Sequence, residues 1–519
     1  TNRFLLHGVT ASGKTEVYMH LIQEVIQQGK QVLFLVPEIA LTTQIIQRLY
    51  VHFGKRMAVY HSRYTPSERV EVWNKVLVQE PSAQLIVGAR SAVLLPYSNL
   101  GLIIVDESHE VAYKQFESNP RYHARDVAVV LAGLHQAKIV LGSASPSIES
   151  SHNSRTGKYN IVEIKERYRG FSMPEIKLID LKVSQKKRKM NGHFSQTLID
   201  AISKTIDAEE QVILFQNRRG FSSFVNCTAC GHVPQCPSCD VSLTYHKQNE
   251  KLKCHYCGYH VLSHAHCVAC GTAHPKPMGL GTQQIEAEIQ QLFPDARVGR
   301  MDSDTTKGKH GHRDLINRFA QHDLDILVGT QMLTKGLDFG RVTLVGVVLA
   351  DGLLNFQDFR AHERAFQMLL QVSGRAGRKD RMGRVLIQTY DNNHLVLQQL
   401  KQYDYDSMFL VQLKQREEFG YPPFVRLTRF ELRHKNFSVL QEAANWFSHA
   451  LHNQFSQVLG PQSPPVGRIR NQFLMQILLK LPASQSAAPA KEQLIRICKR
   501  FEQIPAFRSV KLAIDIDPI

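Results

Sequence analysis

Eight residues near the start of the chain, Gly8-Val-Thr-Ala-Ser-Gly-Lys-Thr15, fit the pattern G-x-x-x-x-G-K-[ST]. Their surroundings constrain the fold more than the pattern does. Arg3 to His7 reads as a short buried strand. Glu16 to Gln28 reads as a helix, with Val17, Leu21 and Val25 sharing one face and Tyr18, Ile22 and Ile26 another. Gly29 ends that helix, and Gln31 to Val36 reads as a second strand. Strand, glycine-rich loop, helix and strand is the setting of a phosphate-binding loop in an α/β domain. There the main-chain N–H groups wrap phosphates, and the helix N-terminus adds a partial positive charge. Gly8 and Gly13 keep the loop tight, Lys14 would reach the β- and γ-phosphates, and Thr15 would ligate Mg²⁺. A chance match in a Gly/Ser/Thr-rich turn is the alternative, and the flanking elements argue against it.

Such a loop needs an acidic partner for the metal and a group to position water. Leu102 to Val105 is an apolar run of the kind found in buried parallel strands, and it ends in Asp106-Glu107-Ser108-His109. The C-terminal ends of strands are where α/β sheets hold ligands. Asp106 would hold the magnesium and Glu107 would orient the attacking water. An isolated acidic pair after a strand is ordinarily a helix N-cap. Here it follows a phosphate loop at a workable distance.

Cysteine usage is the second constraint. The chain of 519 residues has nine cysteines, and eight lie between Cys227 and Cys270. They form four C-x2-C knuckles: Cys227/Cys230, Cys236/Cys239, Cys254/Cys257 and Cys267/Cys270. Eight thiolates suffice for two tetrahedral Cys₄ zinc sites, and one dense patch in a long chain argues for metal rather than a disulfide scaffold. The fourteen residues between the inner knuckles approach zinc-ribbon spacing and suggest nesting, inner four on one zinc and outer four on the other. Sequential pairing is left open by spacing alone. The six histidines of this block, His232 to His266, are not needed as ligands and read as surface residues.

Charge points the same way as the phosphate loop. Lys plus Arg number 63 against 46 Asp plus Glu, a net charge of +17, which implies a polyanionic partner. No apolar run approaches the roughly 20 residues a membrane helix needs; the longest candidate is Val342 to Ala350. No signal peptide is evident, and a start at Thr1 in a strand is expected of a fragment of something longer. Tyr113-Lys-Gln-Phe116 and Arg121-Tyr122-His-Ala-Arg125 interleave aromatic and basic residues, which suits stacking on unpaired bases and tracking of phosphates. Phe116 and Tyr122 are the candidate stackers; packing of Tyr113 and Tyr122 into the domain is the competing reading. Lys186 to Lys189 reads as a solvated loop, and Cys498 as packing.

Taken in order, GVTASGKT, VPEIALT (Val36 to Thr42), GARSA (Gly88 to Ala92), DESH, GSASPS (Gly142 to Ser147), GTQMLTKGLDF (Gly329 to Phe339) and QVSGRAGR (Gln371 to Arg378) resemble a superfamily 2 helicase. With NRRGF (Asn217 to Phe221) and the cysteine block, they resemble the PriA, or primosomal protein N′, family of bacterial replication-restart helicases over nearly the whole chain. The resemblance implies an α/β protein of two RecA-like lobes with ATP between them, a double zinc-ribbon insertion and a small C-terminal α/β sandwich. It implies that Gln371, Arg375 and Arg378 of the second lobe face the nucleotide, with Arg378 favoured as the arginine finger. It implies that Lys335 meets DNA, that Gly336 and Asp338 lie by the nucleotide, with Asp338 near the ribose, and that Arg90 contacts the DNA backbone. It also implies the nested zinc pairing.

The domains expected are 1–151 for the first lobe, 152–226 with 271–424 for the second, 227–270 for the two-zinc insertion and 425–519 for the C-terminal domain. Ala11 stands where the family pattern leads one to expect Gly, and Ala89 where Thr is expected. The implied activity is a 3′→5′ ATP-dependent DNA helicase and DNA-stimulated ATPase using ATP, Mg²⁺ and two Zn²⁺. Its implied partners are single-stranded and forked DNA, single-stranded-DNA-binding protein and primosome proteins, in a cytoplasmic monomer. The family's N-terminal DNA-binding domains and its adenine-reading Gln segment have no counterpart in this sequence. Two rival functions are a branched-DNA scaffold with incidental ATP turnover, and an RNA helicase on the same lobes.

Overall fold

The computed structural model describes residues 2–38, 43–61, 64–117, 119–217, 224–226, 232–246, 251–254, 257–262, 266–267, 269–271, 276–278, 281–302, 305, 311–334, 339–356, 358–377 and 382–519. They group into two compact units, Thr1–Arg219 with Thr282–Leu413, and Gly220–Gly281 with Lys414–Ile519.

The first unit holds two parallel sheets. One has seven strands in the order Met57–Tyr60, Leu85–Gly88, Gln31–Leu35, Leu100–Val105, Lys138–Ser143, Arg3–Gly8, Asn160–Ile164. Its central strands are apolar on both faces, as a sheet covered by helices on both sides requires: Leu33, Phe34, Ile103 and Ile104 are completely buried. The other has six strands in the order Val298–Met301, Ile326–Gly329, Gln211–Phe215, Val342–Val347, Arg384–Thr389, Glu175–Asp180. Both are parallel throughout. These are the two RecA-like lobes. The apolar segment Val342 to Ala350 is thus a core strand and its exit, and among the described residues no helix is long and apolar enough to cross a membrane.

The first sheet runs past the expected boundary at residue 151. Helix Ile148–Arg155 crosses it, and Asn160–Ile164 pairs with Arg3–Gly8 from Phe4↔Asn160 to Gly8↔Ile164. That strand is short and largely exposed, so it carried no apolar signal. Residues 165–174 then connect the two sheets. Lys186 to Lys189 are exposed, as expected, although Lys186 closes a short helix, Leu181–Lys186, rather than lying in a loop.

In the second unit, the cysteine block forms a five-stranded antiparallel sheet in the order His260–Leu262, Lys251–Lys253, Thr244–His246, Phe224–Asn226, Lys276–Met278. The C-terminal part is an antiparallel sheet in the order Val458–Gln462, Gln472–Pro482, Val425–His434, Lys511–Ile516, covered by helices Phe437–His452 and Ala487–Gln503. Arg468 to Leu481 folds into a hairpin, Arg468–Ile469 against the start of Gln472–Pro482. Arg470 and Asn471 turn it at φ 52° and 59°, the geometry of a two-residue hairpin loop.

Candidate nucleotide site and cysteine cluster

The strands Arg3–Gly8, Leu100–Val105 and Lys138–Ser143 end side by side, and each delivers one part of a site. After the first, the loop enters helix Lys14–Gln27 through Gly13, which caps it at φ 89°, a left-handed conformation that suits glycine. Gly8 is held small by its neighbours, since a Cβ there would meet Ser12 Oγ at 2.7 Å. Ala11 sits at φ 61°, which explains why the family pattern puts Gly there. Lys14 Nζ donates to Gly8 O at 2.7 Å and Val9 O at 3.2 Å, and burial depresses its pKa. The buried hydroxyls of Thr10 and Ser12 have no hydrogen-bond partner among the described residues. Orphaned donors in a loop of this shape fit a phosphate chain.

Asp106 lies beside Lys14. Burial, then the neighbouring Glu107 charge, raises its pKa to about 7, while Lys14 pulls the other way. Its Oδ1 accepts from Tyr18 Oη at 3.1 Å. Tyr18 reaches it across Gly142, where a Cβ would stand 1.6 Å from that hydroxyl. Tyr113 Oη, fully buried, lies 2.6 Å from Asp106 O and 3.0 Å from Leu35 O. Glu107 is held at φ 45°, an uncommon conformation for a non-glycine residue, of the kind that collects at functional sites.

Helix Ala361–Ser373 of the second sheet's lobe completes the site. Gln371 Nε2 lies 2.8 Å from His109 Nε2 and 3.4 Å from Glu107 Oε2. His109 Nδ1 in turn lies 2.7 Å from Ser143 Oγ. Higher on the same helix, Glu363 accepts from Ile148 N at 2.9 Å, and Gln367 donates to Ser145 O at 3.2 Å. The GSASPS segment is therefore the rail on which the second lobe rests. An open cavity of about 1050 Å³ collects Lys14, Thr15, Asp106, Glu107, Gln371 and Arg375. Lys335, Gly336, Asp338 and Arg378 lie outside the described residues.

The aromatic segment divides. Phe116 is 44% exposed and lines a smaller cavity of about 210 Å³ with His109, Phe356, Met368 and Gln371. Tyr122 is half-buried against the first lobe's core. Arg90 donates to the carbonyls of Ala112 and Lys114 and bonds Tyr122, so its guanidinium is engaged in shaping this segment.

The Sγ atoms of Cys236, Cys239, Cys254 and Cys257 all lie within 4.8 Å of one another. The edge of a tetrahedral ZnS₄ site is about 3.8 Å for Zn–S bonds of about 2.3 Å, so the set fits zinc. Two main-chain N–H groups already point at these sulfurs, Tyr259 N to Cys257 at 3.4 Å and Arg470 N to Cys239 at 3.2 Å. The inner knuckles are together, as nesting requires and sequential pairing does not allow. Cys267 is buried and Cys270 exposed; Cys227 and Cys230 lie outside the described residues. The 468–472 hairpin braces the cluster: Arg468 Nε donates to Asp240 at 3.0 Å and Asn471 N to Ser238 O at 2.8 Å.

Sequence reasoning missed Tyr18, Gly142 and the Asp240–Arg468 brace. Tyr18 did carry a signal, since it lies one helical turn after Lys14 and so on the same face.

Two parallel lobes with a phosphate loop, an acidic strand end and a second-lobe helix reaching both define a helicase-type P-loop NTPase core. Accordingly, the DEAD/DEAH box helicase family model matches residues 1–153, and the helicase conserved C-terminal domain model matches 280–380. The PriA DNA helicase Cys-rich region model matches residues 236–261, and the primosomal protein N C-terminal domain model matches 417–519. The replication restart protein PriA of Bacillus subtilis is 42% identical over 99% of this chain and 64% of its own length. That of Synechocystis is 40% identical over 100% and 62%, and that of Haemophilus influenzae 38% over 100% and 70%. The chain belongs to the PriA family. It spans less than two thirds of the first two relatives named.

Proposed function

We propose that this chain is the motor and zinc-bearing part of an ATP-dependent DNA helicase that moves 3′→5′ on single-stranded DNA. In this reading it remodels abandoned replication forks and starts primosome assembly. The observation that carries the reading is the convergence at Glu107. The group placed to orient water is within hydrogen-bonding reach of Gln371 on the other lobe, and Arg375 lines the same cavity as Lys14. Hydrolysis on one lobe is then sensed by the other, which is what a translocating motor needs.

Lys14 would leave the carbonyls of Gly8 and Val9 for the β- and γ-phosphates, and Thr15 and Asp106 would hold Mg²⁺, which supplies charge neutralisation of the phosphates. Glu107 orients the attacking water, and Arg375 with Arg378 meets charge developing on the transferred phosphoryl group. Gly8, Gly13, Gly336, Asp338 and Gln371 complete the nucleotide contacts. Phe116, Tyr122, Arg90 and Lys335 serve DNA, with Arg90 acting through the loop it braces. Zinc at Cys236/Cys239/Cys254/Cys257, and a second at Cys227/Cys230/Cys267/Cys270, shapes the insertion rather than doing chemistry. The net charge of +17 suits a DNA partner, and kinship with replication restart proteins supports the fork.

The test is strand displacement on short duplexes carrying a single-stranded flank on one side. Displacement with ATP only where the loaded strand has a free 3′ flank fits the proposal. Equal displacement from 5′ flanks, or preference for RNA, contradicts it.

A further inference from the structure

Arg167 lies in the connector between the two sheets and is 5% exposed. Its guanidinium is spread over main-chain carbonyls from three places. Nε donates to Thr10 O of the phosphate loop at 3.2 Å. Nη1 donates to Ser172 O of the connector and to Gly377 O, both at 3.1 Å, and Nη2 to Gly374 O at 3.4 Å. Gly374 and Gly377 bracket the turn that carries Arg375. The next residue repeats the tie, since Tyr168 N donates to Ala11 O at 3.0 Å. The same seam is close enough that a Cβ on Gly374 would come within 2.7 Å of Thr10.

We infer that Arg167 is a positioning residue for hydrolysis, a clamp that fixes the Arg375 turn of the second lobe to the shoulder of the phosphate loop. The inference rests on the reading of this cavity as an ATPase site. A planar fork with five donors can hold three separate strands of backbone at once; an ammonium group cannot reproduce that geometry. Thr10 and Ala11 belong to the loop that must wrap the phosphates. Their carbonyl positions are thereby passed to Gly374 and Gly377 without any side chain touching the nucleotide. Releasing the clamp leaves the phosphate contacts of Lys14 and Thr15 in place but lets the Arg375 turn wander. The loss therefore falls on kcat and not on nucleotide affinity. A misplacement of about 1 Å in a positioned catalytic group costs up to about a hundredfold.

The experiment uses the full chain with saturating single-stranded DNA, measuring kcat and KM for ATP and the affinity for a fluorescent ADP. Arg167→Ala is expected to lose at least about tenfold in kcat, with KM and ADP affinity within about threefold. Arg167→Lys is expected to recover little, and guanidinium ion at tens of millimolar to restore part of kcat in Arg167→Ala only. Gly374→Ala, which leaves Arg167 intact but pushes on Thr10, is expected to give the same kcat-selective loss and stands in if Arg167→Ala does not fold. An unsubstituted chain that turns over ATP, with Arg167→Ala and Gly374→Ala unchanged, overturns the inference alone. So does a loss shared equally by kcat and ADP affinity that guanidinium does not relieve. No turnover by the unsubstituted chain overturns the ATPase reading and this inference with it.

Discussion

Gly142→Ala should cripple the site without touching any nucleotide contact, and its cost should depend on one oxygen atom. The new Cβ would stand 1.6 Å from Tyr18 Oη, an approach no relaxation of the strand can absorb, so the tyrosine ring must leave its place. Overpacking of that kind costs about 1–3 kcal/mol. Losing the Tyr18–Asp106 hydrogen bond adds about 1.5–3 kcal/mol, as for bonds to charged groups. Together Gly142→Ala should destabilise the first unit by about 2.5–6 kcal/mol. Tyr18→Phe alone forfeits only the hydrogen bond. In that background the nearest atoms to the new Cβ are ring carbons, at 2.8 and 3.4 Å, so Gly142→Ala should then cost about 1–2 kcal/mol. The expected coupling, the difference between those two costs, is about 1.5–4 kcal/mol. Urea unfolding of the wild type, both single variants and the double variant measures it. Additivity within about 0.5 kcal/mol would refute the claim that Tyr18 is threaded over Gly142 to hold Asp106.

Other outcomes follow from the same geometry. The Asp106 carboxyl, raised to about 7 by burial and by Glu107, binds a proton in the folded chain that the unfolded chain has released, so stability without metal falls as pH rises from about 4 to about 7. Asp106→Asn should therefore melt higher than wild type at pH 8 in EDTA and no higher at pH 4; a variant less stable at pH 8 would show that the buried charge is not a burden. Zinc analysis should give two ions per chain, with Cys236→Ser losing one. Asp240→Ala, which breaks the brace from Arg468, should release zinc to a chelator several-fold faster, and an unchanged rate would remove the hairpin from the site. Phe116→Ala should leave ATP turnover without DNA intact but lower its stimulation by DNA about tenfold, consistent with about 1–3 kcal/mol per stacked base; unchanged stimulation would take Phe116 out of the DNA path.

What could be read from the sequence was whatever is dictated within a few residues of itself. The phosphate loop, the acidic strand end and the cysteine knuckles announce themselves because their chemistry needs fixed spacing on one turn, one strand end or one knuckle. The parallel strands were legible because burial on both faces makes Val32 to Val36 and Leu102 to Val105 continuous apolar runs. The failures are tertiary. Asn160–Ile164 is a strand only because Arg3–Gly8 offers it an edge, and its exposed residues show no period. Gly142 is small because of Tyr18, over a hundred positions earlier, and nothing local says so. Arg167 binds carbonyls, which have no residue identity and leave no pattern to find. The hairpin at Arg470-Asn471 does carry a local signal, since Asn favours a turn.

The central claim is that the cavity over Lys14 is an ATPase site governed by DNA. Steady-state ATP hydrolysis by this chain, with and without single-stranded DNA and beside Lys14→Ala, tests it most directly. The account predicts turnover that DNA raises at least about tenfold and that Lys14→Ala abolishes while still binding DNA. Turnover that Lys14→Ala retains, or that DNA leaves unchanged, would contradict it.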